Sequence, residues 1–396
     1  MSYEIRALTP DDSAAAWELG ATAFGYRETP RPAQWNATGP GRRCWGAFDA
    51  AGRLLAKAVD REQGQWFGGR VVPTAGVAGV AVAPELRGTG LGRRLLTRLL
   101  AEARARGAAL SSLFPTTPFP YRRLGWTEVG TLTGTALPTA SLARVRPVGG
   151  VRLRPAAVED VPALRAAYRA VARTGTGMME RSGPLFDTPA QEFLDEYHGV
   201  TVAEDDAGAV VGFAAWQRGP GYDAGGRVTV DDLVTLTPAA VEALLWMLGS
   251  WASVAPTVVL QLPDPDPVLV TASTVDARVE TRQPWMLRAV DAAAAVAARG
   301  WPRHLHGRVG LHLEDEQCPW NAGPHQFVLS GGQGRLEPGG PAAVRLSARG
   351  FASWYAGAAS PALLRRAGLL SGGDEEADDF LQAATAGPPP ALLDYF

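Results

Sequence analysis

At 396 residues the chain is long enough for two or three domains of about 150 residues each. Hydrophobic residues make up 46% of it and charged residues 20%, with 38 basic against 40 acidic side chains; this excludes extensive disorder and leaves no cationic excess for nucleic acid or an anionic membrane surface. Two cysteines, Cys44 and Cys318, are too few for a disulfide framework and fit a reducing compartment, and the acidic N-terminal stretch carries no secretory leader, so the expected location is the cytoplasm.

Residues 5–12 (Ile-Arg-Ala-Leu-Thr-Pro-Asp-Asp) predict a short strand, a turn and an acidic helix start, with carboxylates at the positive end of the helix dipole. The same pattern returns at 153–160, an offset of 148 residues, and implies a duplicated domain. Residues 44–48 and 54–59 read as a hairpin. Residues 77–82 read as an apolar strand that feeds a glycine-rich turn and a helix from Leu91 to about Arg106. In the second copy the strands return from Gly199, followed by a strand at 228–236 and a helix at 239–251, but no glycine loop joins those two. Strands alternating with crossover helices predict an α/β or α+β sheet. The longest uncharged run, 243–263, is broken by Gly249, Ser250, Ser253 and Pro256 and is not a membrane span. From about Pro284 the pattern changes to a helix at 287–299 and then short strands, helices at 347–357 and 361–367, and an acidic start of a last helix at 374–379. A third domain fits this change.

The strongest chemical signal is Val80-Ala-Val-Ala-Pro-Glu-Leu-Arg87-Gly88-Thr89-Gly90-Leu91-Gly92-Arg93, a strand ending in glycines that open a helix. Glycines allow close backbone approach, and free amides at a helix start bind a pyrophosphate. The spacing Gly88-x-Gly90-x-Gly92 is not the Gly-x-Gly-x-x-Gly of a dinucleotide fold. His304, His306 and His312 have no cysteine or histidine partners to complete a site, so no metal is expected. Cys44, in an apolar strand beside Trp45, reads as packed core, Cys318 precedes a proline turn, and neither reads as a nucleophile. Lys57, a single lysine beside 37 arginines, reads as genome composition and not as chemistry.

The Arg87-x-x-Gly90-x-Gly92 loop resembles the acyl-CoA-binding signature of the GCN5-related N-acetyltransferases (GNATs). Tyr121-Arg-Arg-Leu-Gly-Trp126 resembles that family's tyrosine-x-x-x-glycine-aromatic segment. With the duplication, the Cys318-Pro-Trp-Asn-Ala-Gly323 segment and the aromatic C-terminus, the layout is similar to the enhanced intracellular survival (Eis) family. That resemblance implies two tandem GNAT-like domains, 1–150 and a degenerate 151–283, followed by a sterol-carrier-protein-like α/β domain at 284–396. It implies acetyl-CoA as cosubstrate. Val80, Ala81 and Val82 would pair with the pantetheine arm, and Arg87, Gly88, Thr89, Gly90, Leu91, Gly92 and Arg93 would hold the pyrophosphate. Thr116 and Thr117 match a second CoA contact. Tyr121 would be the general acid and the terminal carboxylate of Phe396 the general base of a direct transfer to an amine.

The family's acceptors are polyamines, aminoglycosides and lysine side chains, held by an acidic pocket. Here Phe24, Tyr26, Trp35 and Tyr395 stand where carboxylates would help a polycation, so a ring or an aromatic amine held in part by cation–π attraction also fits. The expected partners are a small-molecule amine or a lysine side chain, and the resemblance implies a homohexamer built as a dimer of trimers. A noncatalytic protein that carries an apolar ligand or CoA is the alternative.

Overall fold

The structure, a computed structural model, describes residues 3–26, 28–33, 35–147, 149–272 and 275–396. The first half of the sequence forms β1 (Glu4–Ala7), α1 (Ser13–Phe24), β2 (Arg42–Phe48), β3 (Leu54–Phe67), β4 (Arg70–Val82), α2 (Leu91–Ala105), β5 (Leu110–Leu113), α3 (Pro118–Arg122), β6 (Thr127–Pro138) and α4 (Thr139–Leu142). The middle forms β7 (Val151–Pro155), α5 (Val161–Ala172), β8 (Met179–Glu180), α6 (Ala190–Asp195), β9 (Gly199–Asp205), β10 (Val210–Arg218), β11 (Arg227–Thr235), α7 (Pro238–Gly249), β12 (Thr257–Gln261), α8 (Pro267–Thr271) and β13 (Arg278–Ala289). The last part forms α9 (Ala292–Ala298), β14 (Gly307–Glu314), β15 (Gly323–Ser330), β16 (Gln333–Pro338), β17 (Val344–Ser347), α10 (Ala348–Tyr355), α11 (Pro361–Arg366), β18 (Leu370–Gly372) and α12 (Glu375–Ala384).

The duplication is visible in side-chain detail. Arg6 forks onto both oxygens of Asp12 at 2.8 and 2.9 Å, and the Thr9 N–H donates to the same carboxylate. In the second copy Arg154 forks onto Asp160 at 2.6 and 2.8 Å, with the Ala157 N–H donating. Each acid thus serves the arginine of the preceding strand and a turn amide. Its alignment with the helix dipole comes in addition.

The two halves share one sheet, ordered β1-β2-β3-β4-β5-β13-β6-β12-β11-β10-β9-β7, with β8 beside β3. Each half lends a strand to the other: β13 lies between β5 and β6, and β6 lies between β13 and β12. Residues 287–291 are therefore not helical. Met286, Leu287 and Ala289 pair with β5 and are buried, and the helix starts at Ala292 behind Asp291, whose side chain accepts from the Ala294 N–H. The run reads equally as strand or helix because it is apolar on both faces.

The α2 helix packs one face of the first half with Leu91, Leu95, Leu96, Leu99 and Leu100, each contributing about 1.5–3 kcal/mol by burial. The last part folds on a separate sheet, β16-β15-β14-β17-β18, over an interior filled by its own aromatic rings. Trp301, Phe327 and Trp354 stack there with centroids 5.0–5.9 Å apart. Buried Arg288 on β13 grips Asp315, at the end of β14, at 2.6 and 2.8 Å and ties this unit to the shared sheet.

The C-terminal tail returns across the β6·β13 ribbon. Pro390 bridges to Thr176, and the Ala391 N–H donates to the Thr176 carbonyl at 2.8 Å. A side chain on Gly130 of β6 would strike the Pro390 carbonyl and the Trp285 indole, so glycine is required for the crossing. Arg181 then fixes the tail: its guanidinium binds Asp394 at 2.7 Å and Asp232 of β11 at 2.5 and 2.9 Å. Burial opposes the arginine's charge, but the two carboxylates outweigh it and hold it fully protonated.

Two outcomes test this anchoring. Gly130→Leu should lift the tail, so that carboxypeptidase releases the last residues at least about tenfold faster than from the parent chain. Arg181→Met leaves two buried carboxylates facing each other and should cost about 3–5 kcal/mol in urea denaturation at neutral pH.

Candidate functional site

β4 and β5 run parallel and pair only at Thr74–Leu110, Ala75–Ser111 and Gly76–Ser112. Beyond that β5 ends at Leu113 while β4 continues to Val82. Residues 77–82 therefore present main-chain donors and acceptors with no neighbour on that side, an edge on which an extended ligand can pair. The edge begins with a bulge. Val59 and Lys57 of β3 face Ala78 and Ala81, so β4 carries an extra residue there, with Gly79 at φ 54°.

This edge leads into the glycine loop. Gly88 and Gly90 have φ of 78° and 86°, a region that disfavours any other residue. Gly90 is the N-cap of α2 and offers no side chain, and the helical ladder begins with the Arg94 N–H bonding the Gly90 carbonyl at 3.1 Å. The earlier amides, those of Leu91, Gly92 and Arg93, face a space in which a Cβ on Gly88 or Gly90 would meet nothing. Arg93 is exposed, Arg87 lies against the Val82 carbonyl, and the Thr89 hydroxyl donates to Leu86. A diphosphate fits this cradle by charge and by donor geometry.

The corresponding corner of the second half is closed. Thr237 caps α7 by accepting from the Ala240 N–H at 3.2 Å, and Pro238 has no N–H to offer.

Thr116 and Thr117 are exposed on the loop after β5, and Thr117 is the N-cap of α3. Tyr121 lies on α3 with its ring edge-on to buried Trp126, at 6.1 Å between centroids. Burial pushes its phenol up to about 12. Phe396 reaches the same end of β5: its ring lies 5.6 Å from that of Phe114 and 5.5 Å from the Arg61 guanidinium. Tyr395 packs on the other side of Phe114 at 4.9 Å.

The aromatic residues expected to share a pocket fall into separate places. Tyr26 and Trp35 both pack edge-on against Trp17, at 5.0 and 5.1 Å, on the α1 face of the sheet. Tyr395 lies with Phe114, and Phe24 faces solvent at 45% exposure. Nor is the site without carboxylates. Beside the terminus opens a cavity of about 370 Å³ lined by Arg61, Glu196, Gln217, Asp231, Gln261 and Phe396, among others. Asp231 accepts from Gln261 at 3.2 Å, and burial, then the neighbouring Asp232 charge, raises its pKa. These acids come from the second half, where β11 and β12 part after Val230 and Leu260. No local motif in the sequence marks them.

Among the described residues no helix is long and apolar enough to cross a membrane. Residues 4–129 and 177–289 match two family models, each described as an acetyltransferase (GNAT) domain, and residues 292–392 match a sterol carrier protein domain. An uncharacterized N-acetyltransferase of Streptomyces coelicolor is 34% identical over 67% of this chain and 66% of its own length, and one of Streptomyces avermitilis is 27% identical over 93% of each. A GCN5-related N-acetyltransferase from Kribbella flavida superposes with TM-score 0.85 at 30% identity, covering 100% of this chain and 98% of that one. Eis1 from Mycobacterium abscessus shares the fold at TM-score 0.79 and 24% identity over all of both chains. With an open strand edge, an uncapped glycine corner and two copies of the same unit in one sheet, the chain belongs to the GCN5-related N-acetyltransferases, as a tandem of two such domains followed by a sterol-carrier-like domain.

Proposed function

We propose that this protein is an Eis-like enzyme that transfers the acetyl group of acetyl-CoA directly to a primary amine, with 1–150 as the catalytic domain, 151–283 as a degenerate copy that walls the acceptor cavity, and 284–396 delivering the C-terminus. The observation that carries this reading is the free edge of β4 running into the open corner of α2, with the chain terminus at the end of β5. The interior of the third unit is filled by Trp301, Phe327 and Trp354, which favours catalysis over carriage of an apolar ligand.

Acetyl-CoA, when bound, supplies the thioester carbonyl. Val80, Ala81 and Val82 pair with its extended arm and polarise that carbonyl through main-chain N–H groups, while the amides of residues 91–93, the loop Gly88–Gly90 and the guanidinium groups of Arg87 and Arg93 hold the diphosphate. Thr116 and Thr117 flank the arm on the β5 side. Tyr121 stays protonated throughout the neutral range because of its raised pKa, and donates its proton to the departing sulfur. The Phe396 carboxylate takes the proton of the acceptor amine directly or through water. A free α-carboxyl is a weak base, with a reference pKa of about 3.5, so this step depends on the exclusion of water around Phe114 and Phe396.

Glu196 and Asp231 hold cationic groups of the acceptor away from the reacting nitrogen, and Tyr395 offers aromatic surface at the cavity's edge. This favours acceptors with several amino groups, aminoglycosides and polyamines, over a lone aromatic amine. The Eis resemblance extends the reading to a hexameric assembly, which sedimentation at the mass of one chain would overturn.

In a thiol-release assay on protein with a free C-terminus, Tyr121→Phe and deletion of Phe396 should each lower kcat at least about tenfold, or roughly 1.4 kcal/mol of barrier. Undiminished turnover in both would remove the assigned acid and base. Combining Glu196→Gln with Asp231→Asn should raise KM for a polyamine at least about tenfold more than for a monoamine, since only the former loses a paired charge.

A further inference from the structure

Apart from the five histidines, every basic side chain of this protein is an arginine except Lys57, and that position is unlike the others. Lys57 lies mid-strand on β3, 6% exposed, and forms no hydrogen bond or ion pair with any described residue. Its stem crosses toward β4 on the α1 face, where the ammonium lies beside the bulge: a Cβ built on Gly79 would stand 3.9 Å from Nζ. On α1 the chain makes room for it with Gly20, where a Cβ would press on both Nζ and the Tyr26 hydroxyl. The Trp35 ring centroid is 5.9 Å away, and the Cys44 thiol donates to the Ala37 carbonyl in the same pocket. No carboxylate accompanies it. An unpaired buried ammonium is costly, and arginine, which cannot shed its proton, could not relieve that cost. Burial lowers the Lys57 pKa and enlarges the neutral, nucleophilic fraction of the amine.

The bulge beside Nζ is where the free edge of β4 begins, the segment on which the proposed function lays the thioester arm. We propose that Lys57 is an internal acyl acceptor, a self-acetylation site that competes with the external amine for the acetyl group of acetyl-CoA. The step rests on the acetyl-CoA reading above. The Nζ lone pair forms a C–N bond to the thioester carbonyl carbon, the C–S bond breaks with its electron pair on sulfur, sulfur takes up a proton, and the nitrogen releases one. The products are N-acetyl-lysine and CoA thiol, with no change of oxidation state. The amide is neutral, so the reaction removes the unpaired buried charge, and its acetyl group lies next to Tyr26 on the α1 face.

Because the chain holds one lysine, the test is unambiguous. The full-length protein is incubated with acetyl-CoA and no acceptor, then followed by intact mass and by peptide mapping, with Lys57→Arg and Lys57→Met in parallel and thermal melting as the check on folding. The expected result is one acetyl group per chain, on Lys57 and absent from both variants. Its rate should saturate with acetyl-CoA, be slowed at least tenfold by a good amine acceptor, and fall at least tenfold when the chain is unfolded in urea. Pre-acetylated enzyme should then turn over amines at least threefold more slowly. The proposal is overturned if Lys57 stays unmodified while the same preparation releases CoA with an added amine. It is equally overturned if labelling is linear in acetyl-CoA and as fast in the unfolded chain. If acetyl-CoA neither binds nor releases thiol with any amine, the function itself falls, and this inference with it.

Discussion

The arrangement of the molecule turns on the antiparallel ribbon of β6 and β13. Each strand belongs by sequence to one copy of the duplicated unit and completes the sheet of the other. Neither copy can therefore close its hydrophobic core alone: Leu287 and Met286 of the second copy seal the first beside β5, and Leu137 of the first seals the second beside β12. Packing by itself therefore requires the degenerate copy to be kept. Burial of these side chains contributes about 1.5–3 kcal/mol each, a large fraction of the net stability of a domain.

The ribbon also sets the geometry of the site. β5 stops level with Met286 and Glu128, and β12 stops level with Gly134, so the parting strands of the two halves flank the same ribbon. The tail crosses it at Gly130 and enters the gap between them. Arg181 fixes the tail because it binds two carboxylates at once, buried Asp232 on β11 and half-buried Asp394 on the tail. Asp232 and Asp394 share the one positive charge of Arg181, so that trio stays net negative, and the other charges in the cavity are Glu196, Asp231 and the terminal carboxylate against Arg61. The lining is net negative because its carboxylates outnumber Arg61 and Arg181, and it attracts cations.

What was legible in the sequence was local. The glycine loop, the repeated strand-turn-acid start and the main helices are short-range patterns, and each stands where its residues predicted. The arginine forks onto Asp12 and Asp160 were half legible: the acids were read as helix starts, while Arg6 and Arg154, six residues upstream, were not seen as their partners. Residues 287–291 were misread because a strand buried on both faces has no alternation to betray it. The acids of the cavity were missed for another reason. Asp231 and Glu196 meet Phe396 only through the shared sheet and the returning tail, and no spacing along the chain encodes that meeting. Lys57 was visible as a count, but its burial and its place beside the bulge were not.

The two copies also explain how one site persists while the other is lost. Both have a strand that parts from its parallel neighbour and then turns into a helix. In the first, Gly90 caps α2 with no side chain and leaves the opening amides unsatisfied. In the second, the Thr237 hydroxyl takes one of those amides and Pro238 removes another. A threonine N-cap is more stable than a glycine one by only a few tenths of a kcal/mol, so the open corner of the first copy is maintained at a small local stability cost. Closing the corner is the easier state for a sequence to reach, since one threonine and one proline suffice. The second half, with its corner closed, has the charged mouth of its parted strands beside the terminus. A closed corner and a charged mouth are thus compatible on the same scaffold, because the two features occupy opposite ends of the parting strands.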